Sequence, residues 1–109
     1  KALDTFLTYI HSHYTGKISL KDLADAVSVS PGECERLCKR LLHQTPMNYL
    51  MTYRIEQRIP LLVNTSFTIT EIALQVGFSG ASYYTEIFHR IMGITPSDYR
   101  YRIRGDLPG

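Results

Sequence analysis

Apolar residues recur with helical spacing in two stretches of the chain that resemble each other. In residues 20–27 they fall at positions i, i+3, i+4 and i+7, and residues 69–76 repeat that spacing. The similarity covers SLKDLADAVSVS at 19–30 and TITEIALQVGFS at 68–79. After one inserted residue it continues to TPMNY at 45–49 and TPSDY at 95–99. The sequence therefore predicts one structural unit that occurs twice.

Polar residues mark the ends of the first helix in each unit. Each of these helices begins with the pattern of a capping box, which is a hydroxyl side chain followed three positions later by a carboxylate. The pairs are Ser19 with Asp22, and Thr68 with Glu71. Gly77 is placed to take the left-handed conformation that ends this helix in the second unit. Ser28 holds the equivalent place in the first unit, where it specifies the turn less clearly.

A longer helix follows in each unit. In the first unit, Ser30 is predicted to cap it and Pro31 to stand in its first turn. The predicted buried stripes are Cys34, Leu37, Cys38 and Leu41 in the first unit and Tyr84, Ile87, Phe88 and Ile91 in the second. A short helix, a tight turn and a longer helix form a helix-turn-helix, so the sequence predicts two of them.

The flanking segments also have helical patterns, with a lid helix near residues 3–14 and one connecting helix from 46 to about 63. Pro60 is expected to kink or stop the connecting helix, because proline lacks an amide hydrogen and its ring collides with the carbonyl of Glu56. The predicted fold is all-α, about seven helices, with two helix-turn-helix subdomains (1–45 and 65–109) joined by a long connecting helix (46–64). An uninterrupted helix over 48–63 would hold the two units about 34 Å apart, which is the spacing of successive major grooves.

Composition narrows the possible functions. The 109 residues carry 12 basic and 10 acidic side chains, a net charge of +2, and two cysteines. No apolar run approaches the ~18 residues that span a membrane, and no phosphate loop, metalloprotease motif or serine elbow is present. We therefore expect a protein from a reducing interior that is not an enzyme and needs no cofactor. Because the sequence starts at Lys1 rather than methionine, we expect it to be part of a longer protein.

Spaced residues in the second unit carry a family signature: Ile72, Ala73, Gly77, Phe78, Ser82, Phe88, Gly93, Pro96, Tyr99 and Arg100. In these, and in Arg54, Leu61 and Leu62 of the connecting helix, the chain resembles the AraC/XylS family of bacterial transcription regulators. The resemblance implies a cytoplasmic C-terminal domain that binds double-stranded DNA, with an effector or dimerisation domain elsewhere in the full protein. RNA polymerase would be a further partner of an activator, although no segment marks a surface for it.

The resemblance also assigns candidate DNA contacts. It places base edges of one groove against Gly32, Glu33, Glu35 and Arg36, and those of the next against Gly80, Ala81, Ser82, Thr85 and Glu86. We expect Arg36 to read a guanine. We expect Lys39, Arg40, Arg90 and the early backbone amides of both helices to bind phosphates. For Tyr83, a phosphate contact and a purely surface role are equally open.

Two other interpretations stay open. The low net charge and the acidic side chains among the candidate contacts would suit a helical protein-interaction module with the same fold and little DNA affinity. Cys34 and Cys38 with His43 could suggest a metal site, but a fourth ligand is missing. Because both cysteines lie in the apolar stripe, buried small side chains are the favoured interpretation.

Overall fold

The computed structural model describes residues 1–105, which form eight α-helices and no strand. The helices are α1 (Ala2–His13), α2 (Leu20–Ala26), α3 (Pro31–Leu42), α4 (Pro46–Glu56), α5 (Ile59–Asn64), α6 (Ile69–Gln75), α7 (Ala81–Met92) and α8 (Pro96–Arg104). Two compact units divide the chain, Lys1–Tyr53 and Arg54–Gly109. The predicted all-α fold with two helix-turn-helix motifs is confirmed, since α2 with α3 and α6 with α7 each pair a short helix with a longer one. Within residues 1–105, no helix is long and apolar enough to cross a lipid bilayer.

The connecting segment is divided into two helices, which brings the count to eight. α4 ends at Glu56 and α5 begins at Ile59, with Arg58 between them in the left-handed conformation at φ 65°. Pro60 stands in the first turn of α5, where its missing amide hydrogen does no harm. The expected early stop at the proline therefore occurs. The estimate of about 34 Å between the two units assumed one continuous helix over residues 48–63. That assumption was wrong, because α4 and α5 are separate helices.

Both helix-turn-helix turns have the same backbone geometry. Val29 N–H donates to the carbonyl of Ala24 at 3.1 Å, and Phe78 N–H donates to that of Ala73 at 3.0 Å. Each hydrogen bond closes a turn that contains a residue in the left-handed conformation. This residue is Ser28 at φ 61° in the first unit and Gly77 at φ 97° in the second. The serine thus accepts a conformation that glycine adopts without strain. Both predicted capping boxes are present.

The core of the first unit lies between α1, α2, α3 and the start of α4. Its buried members are Phe6, Ile10, Ile18, Leu23, Ala24, Cys34, Cys38 and Leu50. The α1 helix packs on α2 as the predicted lid. The prediction that Leu41 is buried was wrong, since its side chain is 43% exposed. Leu42, the next residue on α3, packs against the core instead.

The second unit is built around aromatic rings. Its buried side chains include Ile55, Leu62, Ile72, Val76, Phe78, Tyr84, Ile87 and Phe88. Tyr84 and Phe88 pack at 5.7 Å between ring centroids, and Phe88 contacts Tyr99 of α8 at 5.9 Å. Arg100 secures α8, because its guanidinium donates at 2.7 Å to the carbonyl oxygens of Leu62 and Phe67.

Candidate nucleic-acid interface

The exposed face of α3 carries the candidate contacts of the first unit. The opposite side of α3 is buried. It carries Cys34 and Cys38, which lie four residues apart and therefore on one side of the helix. All six predicted contacts are exposed: Gly32, Glu33, Glu35, Arg36, Lys39 and Arg40. All but the first glutamate line one shallow groove along the helix. The structure therefore brings the predicted first-unit residues together on one surface.

An ion pair joins two of these candidates. Oε1 of Glu33 accepts hydrogen bonds from Nη2 of Arg36 at 2.8 Å and from its Nε at 3.3 Å. The hydrogen bond and the positive charge of Arg36 lower the pKa of the Glu33 carboxyl. Sequence reasoning did not identify this pair, although glutamate and arginine three apart on a helix are a readable signal.

The backbone amides at the start of α3 are less available than predicted. Pro31 has no N–H, and the N–H of Glu33 donates to Oγ of Ser30 at 3.1 Å. Of the described residues 31–33, which form the first turn of this helix, only Gly32 therefore has a backbone N–H that is not used in capping. A carboxylate also stands close by, which disfavours a phosphate there.

The α7 helix begins differently. Its N-cap is Gly80, which makes no side-chain hydrogen bond to the helix. The amides of Ala81, Ser82 and Tyr83 in the first turn have no intrahelical acceptor. No acidic residue lies in that turn. The start of α7 thus offers more open amides than the start of α3.

The remaining candidates of the second unit follow along α7. Its buried side is formed by Tyr84, Ile87 and Phe88, and burial raises the pKa of Tyr84 to about 12. Four predicted contacts are exposed and three are half-buried: Ser82, Tyr83, Glu86 and Arg90 in the first group, and Gly80, Ala81 and Thr85 in the second. The second unit therefore exposes fewer of its candidate contacts than the first, and fewer of those exposed side chains are charged.

Arg54 is buried beneath the candidate contacts of the second unit. Sequence reasoning assigned it no part in this surface. Its side chain is only 5% exposed, and its guanidinium carbon lies 5.9 Å from the ring centre of Phe78. Burial lowers the pKa of Arg54. The same Phe78 ring meets the edge of the Tyr83 ring at 5.6 Å. A buried arginine thus holds the ring against which an exposed candidate contact packs.

The two cysteines are buried, as predicted for small apolar side chains. Burial raises the pKa of Cys34 and raises that of Cys38 to about 12, which keeps both thiols protonated and unreactive. His43 is exposed and ends α3 in the left-handed conformation. Among residues 1–105, no group of three metal-ligating side chains lies together.

Comparison with known proteins identifies the family. A family model described as a helix-turn-helix domain matches residues 23–102, well over half of the chain. A solved transcriptional regulator from Chromobacterium violaceum, of the AraC-type DNA-binding class, superposes on 99% of this chain and 95% of its own with a TM-score of 0.82 and 29% identity. The chain belongs to the AraC-type helix-turn-helix family.

Two further relatives place this AraC-type domain among regulators. An uncharacterized transcriptional regulator of Bacillus subtilis strain 168, YdeC, is 43% identical over 94 residues, which is 86% of this chain and 32% of that protein. The DNA-binding domain of the global transcriptional factor AdpA, solved in complex with a target DNA, has a TM-score of 0.85 and 25% identity over 95% of this chain and 96% of its own. The AraC-type domain spans about a third to a half of the length of the curated relatives it matches.

Proposed function

We propose that this chain binds double-stranded DNA in a sequence-specific manner, as the DNA-binding part of a bacterial transcription regulator. The observation that carries the proposal is the arrangement of α3, where the buried cysteines face the core and all six candidate contacts face outwards. The likeness to the DNA-binding domain of AdpA supports it. Under this proposal α3 and α7 are the two recognition helices.

We assign different tasks to the two helices. Arg36, Lys39 and Arg40 give α3 a positive outer face, on which Arg36 reads a base edge and the other two bind phosphates. The α7 helix uses the open amides of its first turn for the phosphate backbone. Arg90 binds a further phosphate, and Tyr83 lies beside that amide group.

The presence of two helix-turn-helix units in one chain supports the use of two successive major grooves, one for each recognition helix. A five-base-pair insertion between the two half-sites of a selected duplex tests this point. It turns the second half-site to the opposite side of the DNA, so the affinity should fall to that of a single half-site. An unchanged affinity would show that one groove suffices.

A salt titration tests the function itself. The chain is titrated against fluorescent duplex DNA between 50 and 200 mM salt, and log K should fall linearly with log salt concentration. Lys39→Ala should reduce the slope by about 1. Lys17→Ala, which removes an exposed positive charge outside the assigned surface, should leave the slope nearly unchanged. Absence of binding at low salt would favour a protein-interaction module, which the relatives named above do not support.

The full regulator is expected to contain more than this domain. Its curated relatives are two to three times longer, which supports a separate effector or dimerisation domain in the same protein. The named relatives are regulators, which supports a non-enzymatic role and a place in the cytoplasm beside the DNA. If the regulator activates transcription, RNA polymerase is a second partner.

A further inference from the structure

We propose that Glu33 is a positioning residue for Arg36. Its carboxylate binds one edge of the guanidinium and leaves the terminal edge, which lies over the bare backbone of Gly32, free to read a single guanine. This inference rests on the proposed DNA binding. Glu33, which the family resemblance places against a base edge, thereby becomes a specificity determinant that needs no DNA contact of its own.

The hydrogen bonds define which edge of Arg36 is occupied. A guanidinium has five N–H groups in one plane, and two of its edges can each make a pair of parallel hydrogen bonds. Oε1 of Glu33 takes the edge formed by Nε and Nη2. The edge formed by Nη1 and the second Nη2 hydrogen remains, and it matches the O6 and N7 acceptors of guanine in the major groove.

Gly32 leaves space beside that remaining edge. A Cβ atom added at Gly32 would lie 3.6 Å from Nη1 and 3.9 Å from Nη2 of Arg36, and apart from its chain neighbours and the backbone of its own helix no other atom comes within 4 Å of it. An alanine would therefore touch the terminal edge without a clash. A longer polar side chain would compete for its hydrogen bonds. The small residue thus contributes to base reading by leaving the edge uncovered.

The carboxylate of Glu33 is used differently from its counterparts. Asp22 of α2 and Glu71 of α6 stand at the same third helical position, and both accept a hydrogen bond from the backbone N–H of their N-cap residue. Glu33 turns towards Arg36 instead. Because the pair is exposed, its contribution to stability is small, and its removal should leave the fold intact.

Selection from random duplexes tests the inference, with the 109-residue chain and the variants Arg36→Ala, Glu33→Ala and Glu56→Ala. Wild type should prefer guanine at one position, and Arg36→Ala should reduce that preference roughly 5- to 150-fold. Glu33→Ala should reduce it about two- to fivefold, as expected for the loss of an exposed ion pair. Glu56→Ala removes an equal, exposed charge outside the assigned surface, at the end of α4, and should leave the preference unchanged.

The outcomes separate the inference from the function on which it rests. If wild type selects no sequence, the proposed function is wrong and the inference falls with it. If wild type selects a motif but Glu33→Ala and Glu56→Ala behave alike, DNA binding stands and the positioning role is overturned. The same holds if Arg36→Ala keeps the guanine preference.

A measurement without DNA checks the geometry directly. In the free chain, the Nε–H signal of Arg36 in an ¹⁵N spectrum should be protected from exchange with water by Glu33. Glu33→Ala should remove this protection and Glu35→Ala should not. Equal spectra for the two variants would show that the pair does not persist in solution.

A matched pair at position 32 tests the open edge. Gly32→Ala and Gly32→Gln both replace glycine in the same helical turn, but only glutamine can reach the Arg36 guanidinium with an acceptor. The guanine preference should fall less in Gly32→Ala than in Gly32→Gln, in which it should fall about as far as in Glu33→Ala. If both variants keep the wild-type preference, Gly32 has no part in base reading.

Discussion

The two helix-turn-helix units share one backbone pattern but fill it with different side chains. At matched places in the repeat, the first unit has Cys34 and Cys38 where the second has Tyr84 and Phe88. All four side chains are almost fully buried. Small thiols therefore fill the first core at positions where large rings fill the second. The repeat specifies where apolar side chains stand, and the volume at each place is free to differ between the units.

The outer faces of the recognition helices differ even more. Arg36 of α3 and Glu86 of α7 occupy matched places in the repeat, and both are exposed. The first helix has a charged side chain that can read a base, whereas the second has a carboxylate that repels phosphate. Under the proposed function, we therefore expect the first unit to supply most of the sequence preference and the second to supply attachment to the backbone.

The largest expected effect tests whether the two cores differ in what their buried side chains contribute to stability. Phe88→Ala removes a fully buried ring and should lower the free energy of unfolding by about 3–5 kcal/mol. Cys38→Ala at the matched position removes one sulfur atom and should cost about 1 kcal/mol. Urea unfolding followed by circular dichroism measures both changes. Equal decreases would mean that the two buried side chains contribute equally to the free energy of unfolding.

The second prediction sharpens the comparison between the outer faces. Arg36→Ala should weaken binding to the selected duplex by about 1–3 kcal/mol and relax the preference at one base pair. Glu86→Ala should instead strengthen binding to all duplexes by a few tenths of a kcal/mol, because it removes a like charge from the phosphate backbone. Fluorescence anisotropy at constant salt measures both. If Arg36→Ala weakens every sequence equally, Arg36 binds a phosphate rather than a base.

The repeat explains why the fold could be predicted from sequence and the details of the site could not. Helical periodicity and caps such as Ser19 define local structure, so the helix-turn-helix motifs followed directly. The exposure of Leu41 depends on how α3 ends against its neighbours, which local pattern does not encode. The Arg36 ion pair and the buried Arg54 depend on which of several possible partners each guanidinium meets in the folded chain.

The third prediction concerns the turns. Gly77→Ala places a Cβ on a backbone at φ 97° and should lower the free energy of unfolding by about 1–2 kcal/mol. Ser28→Gly relieves the left-handed strain at φ 61° but increases the entropy of the unfolded chain, so it should raise stability by less than about 1 kcal/mol. Thermal unfolding measures both. A loss of stability in Ser28→Gly would show that the serine is not strained.

The smallest expected effect comes from the titration of the buried thiols. Burial raises the pKa of Cys38 to about 12, whereas a thiol in the unfolded chain titrates near a pKa of about 8.5. A raised folded-state pKa gives stability that is complete below the unfolded pKa and is lost as the pH rises towards the folded one. The Cys38 thiol alone should therefore lower the free energy of unfolding by about 1 kcal/mol between pH 8 and 9.5.

Matched variants assign this loss to one unit. Cys38→Ala should show a clearly smaller decrease over the same pH range, with Cys34 supplying what remains. Tyr84→Phe should decrease as wild type does, because an unfolded tyrosine titrates only near a pKa of about 10. Urea titrations at the two pH values measure all three chains. An equal decrease in wild type and Cys38→Ala would mean that the alkaline sensitivity does not arise from the thiol core of the first unit.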